Sequence, residues 1–200
     1  MMSYLSQIQN RIDHFEPAKI FISQDFSDIA SNETVRRTLN KLVEEEKIKR
    51  VINGFYYNPR YIELIHEYEP FEVEELAYSI ARKYNWEIAP FGIACLNILG
   101  LSTQVPAKII FVSSGKNKIY NIDGWIIEFK KVSNKEICNM SWTTKIVIQA
   151  IKEIGKNKLT KKDIRIIRNN LSVLEKQNLL REAKYTTTWI FDYIKQICKE

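Results

Sequence analysis

Side chains that bind phosphates and base edges are concentrated in the segment SNETVRRTLNKL, residues 31–42. At about 100° per residue the apolar residues of a helix here fall on one side and polar residues on the other. Guanidinium, ammonium and amide groups are the donors that nucleic-acid interfaces use. The polar side of this helix carries Thr34, Arg36, Arg37, Asn40 and Lys41.

A second set of basic residues follows in the segment KIKRVINGFYYNPRY. The alternation of apolar and polar residues in this segment predicts two short strands, residues 48–52 and 55–58. They are joined at Asn53-Gly54, a dipeptide typical of tight hairpins. Lys49, Arg50 and Arg60 lie on or beside this hairpin. The hairpin therefore adds cations to those of the preceding helix.

Three helices would hold these side chains in place. Apolar residues at helical spacing predict a first helix over residues 3–15, and a short second helix is expected over residues 23–30. Ser31 or Asn32 can cap the third, whose buried face would contain Val35, Leu39 and Leu42. Three helices followed by a hairpin are the layout of a winged helix-turn-helix, which we expect in residues 1–62 as a DNA-binding domain.

A protein-binding role for the same module is the alternative. Glu33 stands four residues before Arg37, where the two can pair on a solvated face. Glu44, Glu45 and Glu46 would repel phosphates if they faced a DNA groove. A winged-helix adaptor that binds a protein without sequence-specific DNA binding therefore remains open.

Residues 63–200 are expected to form a second domain. Segments of alternating apolar and polar residues at 108–113, 118–122 and 125–132 predict a three-stranded antiparallel meander. Helices are predicted before it, over the segment FEVEELAYSIARKY, and after it, where Thr160 and Ser172 begin capping boxes with Asp163 and Glu175. The fold class is thus α+β, with the C-terminal domain built from helices around a small antiparallel sheet.

The charge is positive overall, with a formal net charge of +6, and is unevenly distributed. Residues 61–100 carry two Lys/Arg against seven Asp/Glu, whereas residues 101–200 carry nineteen against nine. A basic run in the last part can bind nucleic acid or protein, or can simply be a solvated face. It comprises Lys156, Lys158, Lys161, Lys162, Arg165 and Arg168.

Catalytic and metal-binding motifs are not found in the sequence. The two histidines are far apart, and no nucleophile elbow, dinucleotide-binding glycine motif or metal-ligand spacing occurs. Three distant cysteines without a CxxC pair suggest neither a disulfide framework nor a zinc cluster. We expect a cytoplasmic protein that is not an enzyme, has no cofactor or metal and does not bind a membrane.

Three segments resemble a known family. GFYYNP at residues 54–59, IAPFGIACLNILGLSTQVPAK at residues 88–108 and FVSSGKNKIYNIDGWIIEF in the meander are similar to the abortive-infection type IV antitoxins, the AbiEi-like transcriptional regulators, in their short bacterial branch. The resemblance spans nearly the whole chain. GLSTQVP is its most specific part.

The resemblance implies a protein of two functional parts. The winged-helix half would repress its own operon by binding double-stranded operator DNA, with a homodimer expected for two-fold operators. The other half would counter a nucleotidyltransferase-like toxin in phage defence, and no motif there nominates single residues. The family's DNA-contacting face corresponds here to Arg36, Arg37, Lys41, Lys49 and Arg50.

Overall fold

The computed structural model describes residues 2–16 and 18–199, which form two compact units. The first unit ends at Tyr84 and the second begins at Asn85. The α+β class is confirmed, since both units combine helices with small sheets. The boundary expected after residue 62 instead falls inside the first unit.

In the first unit, helices alternate with the short strands of two small sheets. Its elements are α1 (Tyr4–Asp13), β1 (Ile20–Phe21), a 3-10 helix (Ser23–Phe26), α2 (Asn32–Glu44), β2 (Lys49–Ile52), β3 (Phe55–Tyr57), β4 (Tyr61–Ile62), β5 (Glu67–Tyr68) and α3 (Val73–Tyr84). Strands β1, β3 and β2 form an antiparallel sheet in that order, and β4 pairs with β5 in a separate ribbon.

Helix α2 forms as its sequence predicts. The Ser31 hydroxyl accepts the backbone N–H of Thr34 at its start, and Val35, Leu39 and Leu42 are fully buried on its inner face. They pack with apolar residues of α1, the 3-10 helix and the sheet in one core. Burial of each such aliphatic side chain contributes about 1.5–3 kcal/mol, so this core fixes the outward face of α2 as well.

The second helix is shorter than expected. The short helix predicted over residues 23–30 begins where expected, but it is a 3-10 helix and covers only Ser23–Phe26. The Asp25 carbonyl, which an α-helix would use for the Ile29 N–H, instead accepts a hydrogen bond from the Arg11 guanidinium at 2.9 Å. The Ile29 N–H donates to the Phe26 carbonyl.

Helix α3 belongs to the first unit because it closes the edge of the sheet. The Ile20 carbonyl on β1 accepts hydrogen bonds from the Ser79 hydroxyl at 3.3 Å and the Arg82 guanidinium at 3.2 Å. Arg82 also forms a salt bridge with Asp25 at 3.0 Å. These contacts explain why the first unit extends to Tyr84.

The second unit places helices around a four-stranded sheet. Its elements are β6 (Ile88–Pro90), α4 (Ile93–Ile98), β7 (Ile109–Ser113), β8 (Lys118–Ile122), β9 (Trp125–Lys131), a 3-10 helix (Asn134–Glu136), α5 (Trp142–Ile154), α6 (Lys161–Asn169), α7 (Val173–Glu182), a further 3-10 helix (Ala183–Tyr185) and α8 (Thr188–Cys198). The two predicted capping boxes, Thr160 with Asp163 and Ser172 with Glu175, are confirmed. Helix α5 lies in the core, and α4, α7 and α8 contact it.

The predicted antiparallel meander is wrong, because the sheet is mixed. Its order is β6-β7-β9-β8, with β7 and β9 parallel and the other pairs antiparallel. The link from β7 to β8 crosses the end of β9 instead of closing a hairpin. It is held there by the Asn117 side chain, which accepts the Lys131 N–H at 2.7 Å. A Cβ at Gly115 would lie 2.2 Å from the Trp86 ring, so only glycine fits this crossing.

Candidate functional site

A polar cavity of about 430 Å³ opens beside the outward face of α2. Helix α2 contributes three residues at intervals of four, the β2–β3 hairpin contributes its turn and two strand residues, and the rest come from the 3-10 helix and the last turn of α3. We call it the α2 cavity. Its lining consists of Ser23, Gln24, Asn32, Arg36, Asn40, Arg50, Asn53, Gly54, Tyr56, Lys83 and Tyr84.

The hairpin and α2 are joined at this cavity by a small polar network. The Asn40 side-chain oxygen accepts hydrogen bonds from the Arg50 guanidinium at 2.8 Å and from the Tyr56 hydroxyl at 3.3 Å. The Arg50 guanidinium also stacks on the Tyr56 ring, 5.6 Å from its centroid. Arg50 is therefore fixed against α2, and the free amide N–H groups of Asn40 remain as donors.

Two further cations face the α2 cavity. Arg36 is exposed, and Lys83 lies with its ammonium 4.5 Å from the Phe55 ring centroid. Burial, and to a lesser extent the Arg36 guanidinium nearby, lower the pKa of Lys83. Neither side chain forms a salt bridge with a described residue, and no Asp or Glu is among the described residues that line the cavity.

The turn glycine brings Lys83 close to the hairpin. Gly54 adopts φ +81°, a conformation that side chains other than glycine rarely adopt, and a Cβ there would lie 2.8 Å from the Lys83 ammonium. Gly54 thus serves both the tight turn predicted at Asn53-Gly54 and the approach of α3 to that turn.

Arg37 and Lys41 lie on α2 outside the cavity lining and have acidic neighbours. Arg37 forms a salt bridge with Glu33 at 2.6 Å, as its spacing predicts, and Lys41 lies 3.7 Å from Glu45. Glu45 also pairs with Lys47 at 2.8 Å, and the Lys47 hydrogen bond lowers the pKa of that carboxyl group. Part of the positive charge on this face of α2 is therefore neutralised locally.

The remaining predicted residues are separated from the cavity. Lys49 and Arg50 alternate on β2, so they point to opposite faces, and the Lys49 ammonium lies 4.2 Å from the Tyr68 ring centroid of β5. Thr34 bonds to the Ser31 hydroxyl at 3.0 Å within the N-terminal cap. Arg60 is exposed before β4, where its carbonyl accepts the Glu69 N–H.

Sequence reasoning missed Lys83, and it did not connect Tyr56 to Arg50 and Asn40. Arg82-Lys83 at the end of a helix indicates only a favourable interaction with the helix dipole, and no spacing links α3 to a hairpin far before it. Tyr56 lies opposite Arg50 in the β2–β3 register. A regular hairpin register drawn from the Asn53-Gly54 turn would place Arg50 opposite Tyr57, and a register shift between Arg50 and Ile52 moves its partner to Tyr56. Neither this pair nor Lys83 could therefore have been found from the sequence.

One residue of the basic run in the second unit forms hydrogen bonds that stabilise the fold. Arg168 donates to the carbonyls of Ile197 at 3.1 Å and Gln196 at 2.7 Å, in the last turn of α8. A shallow groove of about 280 Å³ lies beside it. We call it the α6 groove, and its lining consists of Lys161, Ile164, Arg165, Arg168, Gln196 and Lys199.

Within residues 2–16 and 18–199, no group of three or more His, Cys, Asp or Glu residues is arranged to hold a metal ion. All three cysteines are free thiols, and burial raises the pKa of Cys95 to about 12. Among these same residues, no helix has the length and apolar composition needed to cross a bilayer.

These features define an α+β protein with a cation-lined cavity between a helix and a hairpin. The chain belongs to the family of unknown function DUF6088, whose model matches residues 7–179. The match begins within α1, covers the rest of the first unit and extends through the second unit into α7. A comparison with curated proteins gives no match.

Proposed function

We propose that the first unit is a winged helix-turn-helix that binds double-stranded DNA, and that the protein represses its own operon. In this proposal α2 is the recognition helix and the β2–β3 hairpin is the wing. The observation that carries the proposal is the Arg50–Asn40 hydrogen bond, because it joins a wing cation to the exposed face of α2. The two elements then present one positive surface to a duplex.

Each side chain has a distinct role in this proposal. Arg36 and Arg50 would contact phosphates, and Arg37 would reach a base edge or phosphate after leaving Glu33. The Asn40 oxygen is occupied by Arg50 and Tyr56, so Asn40 would act as a donor to base acceptors. A bidentate contact to adenine needs both its donor and its acceptor, so we do not expect one from Asn40.

Lys41 and Lys49 would strengthen binding through longer-range attraction to the phosphates, since Lys41 lies near Glu45 and Lys49 rests on Tyr68. Thr34 would support the helix start, and Arg60 would meet the DNA backbone beside the wing. No catalytic group, cofactor or metal is part of the proposal. The operator is taken to be two-fold symmetric, which implies a homodimer on DNA.

An antitoxin role is the second part of the proposal. It rests on the sequence resemblance to AbiEi-like regulators, and it assigns to the second unit the task of countering a nucleotidyltransferase-like toxin encoded nearby. The measurement is growth of cells that express such a neighbouring gene with the full chain or with an empty vector. Rescue by the full chain supports the role, and unrelieved toxicity contradicts it.

DNA binding is tested by fluorescence anisotropy with labelled DNA from upstream of the gene. We expect specific binding in the presence of competitor DNA and a log affinity that falls against log salt by about 0.9 for each neutralised phosphate. Arg36→Ala/Arg37→Ala should abolish specific binding. Lys116→Ala, an exposed lysine in the second unit, is the matched control and should bind normally.

An adaptor that binds protein is the second candidate, and a specific observation favours it. The Arg37–Glu33 pair and the Glu45 pairs neutralise part of the positive charge on the α2 face next to the cavity. Leu64 and Ile65 at the tip of the β4–β5 ribbon are also 90% and 55% exposed, which gives the ribbon an apolar tip that a protein could cover. Absence of DNA binding at moderate salt, with an intact fold, would favour the adaptor.

A further inference from the structure

The α2 cavity combines three cations from three separate elements. Arg36 comes from α2, Arg50 from the hairpin and Lys83 from the end of α3, and all three line one concave space. We infer that the α2 cavity is a phosphate-binding pocket, in which Arg36, Arg50 and Lys83 share one phosphate group. If that phosphate is part of DNA, the inference rests on the proposed function. If it belongs to a small molecule, the inference does not depend on the proposed function.

Electrostatics favour an anion in this space. Like charges that converge without a carboxylate raise the free energy of the empty protein, and an anion removes that cost. The effect is visible at Lys83, where burial and the Arg36 guanidinium both oppose the charged form. By contrast, Lys41 and Lys47 of the first unit both lie beside the Glu45 carboxylate.

Two of the cations are held in position before any ligand arrives. Asn40 and Tyr56 hold the Arg50 guanidinium by a hydrogen bond and by stacking. The Lys83 ammonium is placed between the Phe55 ring and the Gly54 turn. Side chains that are already ordered lose little conformational entropy on binding, so the pocket is preorganised for its ligand.

The chemistry matches phosphate better than carboxylate. A phosphate offers more acceptor oxygens and can carry two negative charges, so it can satisfy an arginine fork and a lysine point charge together. Neutral donors at the rim, the amides of Asn32, Asn53 and Gln24, can bond its remaining oxygens. A volume of about 430 Å³ accommodates a phosphate and part of the group attached to it.

The first experiment measures binding of inorganic phosphate to the full chain by calorimetry and by thermal unfolding, against chloride at matched ionic strength. Lys83→Met keeps the hydrocarbon stem over Phe55 but removes the charge. We expect saturable phosphate binding by the wild type that raises its Tm. In Lys83→Met the affinity should fall at least about tenfold, as for loss of a charged hydrogen bond.

Lys83→Met should also be as stable as the wild type, or more stable, without phosphate. This sign distinguishes a binding role from a structural one, because loss of a structural lysine would lower the Tm in every buffer. Lys116→Met removes an exposed lysine of the second unit and should retain the full phosphate response. A wild-type response no greater than that to chloride, or an equal loss in Lys116→Met, would overturn the pocket.

A second experiment identifies the source of the phosphate. If it is the DNA backbone, Lys83→Met should reduce the slope of log affinity against log salt by about 0.9, and inorganic phosphate should compete with DNA. If it is a free phosphorylated molecule, Lys83→Met should lose phosphate binding and keep its DNA affinity and slope. Phosphate binding without any DNA binding would overturn the proposed function and leave the pocket intact.

Discussion

The α2 cavity and the α6 groove are both lined by lysines and arginines, yet Arg50 at the first and Arg168 at the second are held by different groups. At the α2 cavity, Arg50 is held by neutral groups, and neither Arg36 nor Lys83 has a salt bridge among the described residues. At the α6 groove, Arg168 donates hydrogen bonds to two backbone carbonyls in the last turn of α8. The number of cations is therefore a poor guide to a binding site, and the groups that their donors contact are a better one.

The largest expected effect concerns Arg50. On the proposed function, Arg50→Ala should lower DNA affinity by about 1–3 kcal/mol, roughly 5- to 150-fold, because it removes a held phosphate contact. Arg165→Ala, in the α6 groove, should leave the affinity unchanged. Anisotropy titrations of both variants test the contrast, and an equal loss in Arg165→Ala would show that the two basic regions act alike.

For the free energy of unfolding we expect the opposite order, with a larger effect at the α6 groove than at the α2 cavity. Arg168→Ala leaves two carbonyls of α8 without their charged donor, and we expect the free energy of unfolding to fall by about 1–3 kcal/mol. Arg165→Ala on the same helix and Arg36→Ala on α2 should each change it by less than about 0.5 kcal/mol. Urea unfolding followed by circular dichroism measures all three. A normal midpoint for Arg168→Ala would mean that this arginine is free for a ligand.

A smaller effect is expected at the exposed Arg37–Glu33 pair. A double-mutant cycle with Arg37→Ala and Glu33→Ala should give a coupling free energy of about 0.3–0.5 kcal/mol, because both side chains are largely solvated. Arg37→Ala alone should reduce DNA affinity less than Arg50→Ala does. A coupling near zero, measured by urea unfolding, would mean that the pair leaves Arg37 fully available.

The smallest effect is a pH dependence at Arg11, a cation of the first unit that is fully paired. Its guanidinium donates to both Asp28 oxygens and holds the pKa of that carboxyl at about 2, below its ordinary 3.8. A lowered pKa contributes stability above the unfolded value, and that contribution disappears as pH falls to the folded value. Asp28→Asn should therefore be less stable than the wild type at pH 5–7.

The difference between Asp28→Asn and the wild type should shrink below about pH 4 and vanish only below about pH 2, as measured by urea midpoints across this range. Arg36 has no salt bridge to a carboxylate of the described residues, so the midpoint shift of Arg36→Ala should not vary over the same window. A shift that does vary would reveal an acidic partner for Arg36 and would weaken the contrast between paired and unpaired cations.

Local signals in the sequence predicted the helices well. The Ser31, Thr160 and Ser172 caps and the Asn53-Gly54 turn depend on neighbouring residues, so each could be predicted where it occurs. The pairing of β9 with β7 could not, because alternation identifies strands without specifying their partners. The β4–β5 ribbon and β1 are two residues long per strand, too short for any alternation to show.

The candidate site was predicted only in part for the same reason. Arg36 and Asn40 lie on one helix face, which spacing gives directly. The separation of Lys49 from Arg50 follows from strand alternation and could also have been predicted. Lys83 reaches the cavity only because α3 packs on β1 through Ser79 and Arg82, a long-range contact that leaves no pattern in the sequence.

The order β6-β7-β9-β8 has a consequence for synthesis of the chain on the ribosome. Strand β9 lies between β7 and β8 in space but follows both in sequence. Until Lys131 has been made, β7 has an open edge, and β8 has no neighbour in the sheet. The nascent chain must therefore keep an apolar strand edge unpaired while about twenty residues emerge, roughly one to four seconds at ordinary elongation rates.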